Sequence, residues 1–166
     1  MKKYFKYAGI CALVLSVVAF IMVIACKGMK YEISGVGVTL TEKYKGMDII
    51  FAKGDFKNFD KAMAGVFGFI LLLVAIVLTA VGVILPLVGK SLDAKIAGII
   101  NIVAAVLFIL AGILIICVKN SWLDANDAPS NAKKYYDLTV EYAIAGILSI
   151  LAGVVTLAPA IADFKD

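Results

Sequence analysis

Apolar and polar positions along this chain are segregated into long blocks rather than short periods. Residues 7–26, 62–89, 96–118 and 142–162 form four stretches of 20, 28, 23 and 21 residues without Asp, Glu, Lys or Arg. A helix needs about 20 apolar residues to cross the ~30 Å hydrocarbon core. The pattern predicts an all-α membrane protein, a four-transmembrane-helix bundle built as a single membrane domain over residues 1–166. Residues 27–61 and 119–141 are the two longer polar segments, and Lys90 to Lys95 form a tight connection. Four spans put both termini on one side and both longer segments on the other.

The first polar segment has a pattern of its own. Val36, Val38 and Leu40 alternate with Gly37, Thr39 and Thr41, and Met47, Ile49 and Phe51 alternate with Asp48, Ile50 and Ala52. Lys45-Gly46 lies between these runs as a turn signal. Alternation around a turn predicts a small extracytoplasmic β-hairpin cap, with Lys43, Tyr44 and Lys45 at its tip. Two strands alone are marginal in water, so the second polar segment is expected to support them. Asp55 is placed to cap a helix carrying Phe56, Phe59 and Met63 into span two. Tyr135, Leu138 and Tyr142 recur at helical spacing, which projects span four beyond the membrane. Trp122, Tyr135, Tyr136 and Tyr142 on one side, and Tyr4 and Tyr7 on the other, fit interfacial aromatic belts.

Composition narrows the chemistry. The chain is 63% hydrophobic and carries a net charge of +4, with Lys as its only basic residue type. The lack of His removes the commonest general base and metal ligand. The lack of Arg removes bidentate phosphate clamps. No enzyme motif, metal set or nucleic-acid motif is legible, so an enzyme is not expected and no cofactor is implied. The spans contain no Asp, Glu, Lys or Arg, which argues against a proton pump or a voltage sensor. Lys2, Lys3 and Lys6 near the N-terminus, with Lys90 and Lys95, favour cytoplasmic termini in a multi-pass cell-membrane protein.

Small residues at four-residue spacing mark helix-packing faces. They are Ala8, Ala12 and Ser16 in span one, Ala97, Asn101 and Ala105 in span three, and Ala145, Ser149 and Gly153 in span four. Asn101, Ser149 and Thr156 are the candidate intramembrane polar contacts; Asn101 is expected to bond between helices, and the three would form the sparse polar lining of a transporter. Lys6-Tyr-Ala-Gly-Ile10 and Lys95-Ile-Ala-Gly-Ile99 open spans one and three alike, as a duplicated helical hairpin would. Pro86 and Pro159 fall near the inner ends of spans two and four. Cys11 reads as a small core side chain. Cys26 ends a lipoprotein-like Met22-Val-Ile-Ala-Cys26, but its 20-residue apolar run exceeds the roughly 7–15 of a signal peptide. A Cys26–Cys117 bond is disfavoured, because spans one and three are diagonal in a sequential ring.

Lys43, Tyr44, Lys45, Lys53 and Lys57 form the candidate interaction surface, for anionic lipid or polymer. The simpler reading is a solvated lysine-rich surface balanced by Glu42, Asp48, Asp55 and Asp60. The layout of four spans and a strand-bearing first outer segment resembles the claudin-type tetraspan topology. The claudin signature, a Trp-Gly-Leu-Trp run followed by two loop cysteines, is absent, so no claudin site carries over. Lys45-Gly-Met-Asp-Ile-Ile-Phe51, the lysine-rich start and the Ala/Gly-rich later spans resemble a group of small four-span proteins of Firmicutes. That resemblance implies a bacterial source and no activity. The expected function is a non-enzymatic membrane interaction or accessory protein. Its partners would be membrane lipids, another membrane protein, a second copy of itself or an anionic envelope polymer. The alternatives are a small transporter or oligomeric pore, and an envelope stress or immunity-type protein.

Overall fold

The computed structural model describes residues 2–87 and 93–163. Four long helices form the body: α1 (Lys2–Ala25), α3 (Met63–Leu87), α4 (Ala94–Ile116) and α7 (Val140–Asp163). All four are long and apolar enough to cross a membrane. Helix α1 packs on α3 and α7, and α4 also packs on α3 and α7, so α1 and α4 lie across a four-membered ring. Pro159 sits inside α7 without ending it.

The bundle is apolar outside as well as inside. Val14, Phe67, Ile99 and Val154 are each more than half exposed on its surface. With no polar face to turn outward, the helices choose their neighbours by close approach at small residues. Ala12, Ser16, Ala105, Ala145 and Gly153 are buried; Ala8 and Ala97 are half-buried. The closest crossing joins α4 to α7, where a Cβ built on Gly112 would stand 2.5 Å from the Gly146 carbonyl oxygen. Cys11 lies on the exposed surface of α1 rather than in the core, and Cys26 and Cys117 are free thiols.

A small cap sits on one end of the ring. Strands β1 (Lys27–Gly35) and β2 (Val38–Lys45) form an antiparallel hairpin, followed by a short helix α2 (Gly46–Phe51) and a 3-10 turn at Gly54–Phe56. From the second polar segment come α5 (Val118–Ala125), α6 (Ser130–Lys133) and a third strand β3 (Tyr136–Leu138). The sheet order is β2-β1-β3, so the second segment supports the hairpin by joining its sheet.

Four local expectations are corrected. The second strand was expected over Met47, Ile49 and Phe51, but this stretch is helix α2. Adjacent Ile49 and Ile50 are both fully buried there, which a two-residue period cannot arrange. Lys45-Gly46 is therefore a strand-to-helix junction. The turn is Val36-Gly37, which moves Lys43, Tyr44 and Lys45 from the tip to the base. Asp55 lies inside a 3-10 turn rather than capping a helix, and α3 begins afresh at Met63. The helical spacing of Tyr135, Leu138 and Tyr142 is broken at Thr139, between β3 and α7.

Candidate functional site

The two strands of the hairpin pair in continuous register from Met29 opposite Tyr44 to Gly35 opposite Val38. Side chains alternate across a strand. One face therefore carries Met29, Tyr31, Ile33, Val38, Leu40, Glu42 and Tyr44. The other carries Lys30, Glu32, Ser34, Thr39, Thr41 and Lys43. This amphipathic alternation decides which way the sheet faces.

The base of the apolar face is covered by the chain itself. Met29 is fully buried and belongs to one core with Ile49, Ile50, Trp122 and Tyr142, which continues into the bundle through Val23, Leu72 and Ile115. A run of aromatic rings closes the base. Tyr44 stands edge-on to Phe56 at 4.9 Å, Phe56 to Trp122 at 5.5 Å, Trp122 lies 5.5 Å from Tyr136, and Tyr136 4.8 Å from Tyr31. Such pairs add about 0.5–1.5 kcal/mol each beyond area burial. Trp122 and Tyr142 were expected in an interfacial belt. Both are instead buried in the cap core, at 4% and 0% exposure.

Polar ties fix this base to the helix ends. Thr139 Oγ1 donates to the Lys27 carbonyl and accepts from Tyr142 N–H at 3.4 Å, so it caps α7 while holding the start of β1. Asn126 accepts from Asp60 N–H at 2.7 Å and donates to the Asp60 and Trp122 carbonyls at 3.1 and 2.9 Å. Ser121 Oγ accepts from Ala64 N–H at 3.1 Å, satisfying an amide of the first turn of α3. None of these three residues was singled out from sequence. Thr139, directly before an apolar run, carried a legible capping signal.

Beyond Tyr31 the cover stops. Strand β3 pairs only with Met29, Lys30 and Tyr31. The hairpin continues five residues further to Val36, roughly 17 Å at strand rise. On this free part Ile33 is 39% exposed, Val38 61%, Leu40 67% and Val36 106%. No charged residue occurs from Ile33 to Thr41. At the turn, Val36 has φ +25° and Gly37 φ +78°. Asn or Gly is usual where a tight hairpin needs positive φ, and a β-branched residue there is an outlier. The turn thus carries an apolar side chain at a position whose backbone disfavours it.

The candidate cations lie elsewhere. Lys43 and Lys45 are exposed at the base of β2, and Lys53 stands 5.8 Å over the Phe51 ring. Lys57 lines an open depression of about 530 Å³ with Lys61, Phe59 and Met63. Tyr44 differs from these. It is half-buried and donates to Glu42 at 2.7 Å. Burial, reinforced by the Glu42 carboxylate, pushes its phenol up to about 12. Burial also raises the Tyr136 phenol, with the neighbouring Tyr31 contributing.

Of the polar candidates in the long helices, Ser149 and Thr156 each bond to a backbone carbonyl. Ser149 Oγ on α7 donates to the Phe108 carbonyl of α4 at 2.8 Å, an interhelical bond. Thr156 Oγ1 bonds back to Ala152 of its own helix at 2.7 Å. Asn101 is half-buried on α4, its Oδ1 3.2 Å from a Cβ built on Gly82 of α3. Among the described residues no three acidic or cysteine side chains converge as a metal set would. Compared with protein-family models and with curated proteins, the chain matches none.

Proposed function

We propose that this chain is a multi-pass membrane protein whose cap docks another membrane protein through the free part of its hairpin, and that it performs no catalysis. The four apolar helices and the apolar exterior of their ring support insertion in a bilayer. The basic N-terminal residues support cytoplasmic termini and an outward cap. The observation that carries the reading is the bare apolar face at Ile33, Val38 and Leu40. The same face at Met29 is fully buried by the chain itself, so the distal half has the pattern of a covered surface without its cover.

The test is a photoreactive residue in place of Val38, activated in native cells. A discrete protein adduct is the expected result. Adducts to lipid alone, or none, refute the docking role. The lysines at the base, largely balanced by neighbouring acids such as Glu42, Asp48, Asp55 and Asp60, fit anionic headgroups or envelope polymers as a secondary contact.

A further inference from the structure

We infer that the depression at the start of α3 binds one anionic phospholipid of the surrounding leaflet, its phosphodiester held by Lys57 and Lys61 and its acyl chains laid along α3. This goes beyond the hairpin docking above. It rests only on that reading's placement of the four helices in a bilayer.

The walls of the depression are fixed by the cap core. Ala52 has φ +51°, which turns the chain back after α2. The rim that follows is tied at four points. Lys53 N–H donates to the Asp48 carbonyl at 2.9 Å, Phe59 N–H to the Phe56 carbonyl at 3.0 Å and Ala62 N–H to the Ile49 carbonyl at 3.4 Å. Asp60 is clamped by Asn126 through both its N–H and its carbonyl. The Phe59 ring lies 5.9 Å from Phe56 and 5.6 Å from Trp122, yet remains 46% exposed. Phe51, also on the lining, stands edge-on to Phe69 of α3 at 5.7 Å. Walls held in this way need little ordering when a ligand binds.

The depth of the depression matches a lipid headgroup. Met63 lines it and is also the first residue of the membrane-crossing stretch of α3. Phe67, Ile70, Val74 and Val77 follow at alternating spacings of four and three, and all are exposed with Met63. Residues so spaced share one helix face. An apolar track therefore leads from the depression into the hydrocarbon. The depression, about 530 Å³, takes the headgroup, and the track takes the chains.

Charge selects the headgroup. Lys57 and Lys61 are exposed, and among the described residues neither makes an ion pair or a side-chain hydrogen bond. The acids that balance them in the sequence do not neutralise them by contact. Asp60 shares the lining, so two ammonium groups and one carboxylate leave it a charge of +1. One phosphodiester neutralises that charge. A zwitterionic headgroup brings a second cation, which the lysines repel. An envelope polymer would match the charge but leave Phe51, Phe59 and Met63 bare, whereas a lipid covers both halves of the lining.

The experiment titrates the full chain, purified in detergent, with phosphatidylglycerol or phosphatidylcholine and counts bound lipids by native mass spectrometry. The parent is expected to hold its first phosphatidylglycerol at least about tenfold more tightly than phosphatidylcholine, as two nearby lysines allow. Lys57→Gln/Lys61→Gln should reduce this preference to less than about twofold. Lys57→Arg/Lys61→Arg should keep it, and so should Lys43→Gln/Lys45→Gln, which removes the same charge elsewhere. Glycerophosphoglycerol, the same headgroup without chains, should not compete at equal concentration. No preference in the parent, equal loss in the Lys43/Lys45 variant, or competition by the free headgroup overturns the site. Alkaline extraction of native membranes reads insertion separately. A chain that resists extraction but shows no preference loses the site and keeps the bilayer reading; an extractable chain loses both. The Val38 photoadduct tests docking independently, since no residue of the depression belongs to the hairpin.

Discussion

Gly46 is the most constrained backbone position in the cap, and its substitution by alanine gives a quantitative test of how the base is built. A Cβ there would stand 2.3 Å from Tyr142 Cε2 and 2.7 Å from its Cζ and Oη. Apolar atoms settle about 3.5–4.0 Å apart, so the ring would have to retreat by more than about 1 Å. The ring is fully buried, in the first turn of α7. Overpacking a filled site costs about 1–3 kcal/mol, and the severity of this overlap places Gly46→Ala near 3. Gly46 opens helix α2, where alanine regains up to about 1 kcal/mol of helix propensity. The net loss is about 2 kcal/mol, roughly a 30-fold rise in the open population of the cap.

Amide hydrogen exchange reads this directly, because local opening need not involve the bundle. Exchange in β1 and β3 should accelerate by about that factor, while amides in the middle of α4 remain unchanged. Gly35→Ala is the control, since a Cβ at Gly35 meets nothing within 4 Å and should shift stability by less than about 0.5 kcal/mol. Identical exchange in the two variants would refute the packing of Gly46 on Tyr142.

Further consequences follow from other positions. Gly112→Ala drives a methyl into the Gly146 carbonyl at 2.5 Å, backbone that cannot rotate away, and should lower thermal stability in detergent by at least about 2 kcal/mol. Tyr142→Phe removes a buried hydroxyl without a hydrogen-bond partner; it should leave stability unchanged or raise it by up to about 1 kcal/mol in denaturation assays. Tyr44 should titrate late by tyrosinate absorbance, near pH 12, and Glu42→Gln should bring it down. Because folding raises this pKa above its unfolded value of about 10, its contribution to cap stability is intact below pH 10 and lost as pH rises through 12. Val36→Asn should relieve about 1 kcal/mol of turn strain, slowing exchange in the hairpin while weakening association of the chain in membranes.

The helical body was legible because four charge-free stretches leave a chain few alternatives. The cap was legible in kind but not in register. Strand β1 alternates more cleanly than the segment that drew attention: Met29, Tyr31 and Ile33 against Lys30, Glu32 and Ser34. It was hidden because it begins two residues after α1 ends and its lysines read as a loop. Met47, Ile49 and Phe51 alternate over too short a window to distinguish a strand from one helical turn and a half. Strand β3 is three residues long, and its pairing with β1 is a long-range contact that no local pattern announces. The same limit applied to function. Lysine spacing suggested a charged surface, whereas the structure directs attention to uncharged residues whose exposure could not be read from sequence.

The most direct test of docking is the mass of the complex in membrane discs extracted from native cells by polymer, without detergent. The parent chain, 17.6 kDa, is compared with a Val38→Thr/Leu40→Thr variant. Threonine keeps the strand propensity and removes the apolar face. The parent is expected to occur in a discrete species larger than one chain, and the variant as the single chain. A single chain in both, with the cap folded by hydrogen exchange, would contradict a docking role for the hairpin.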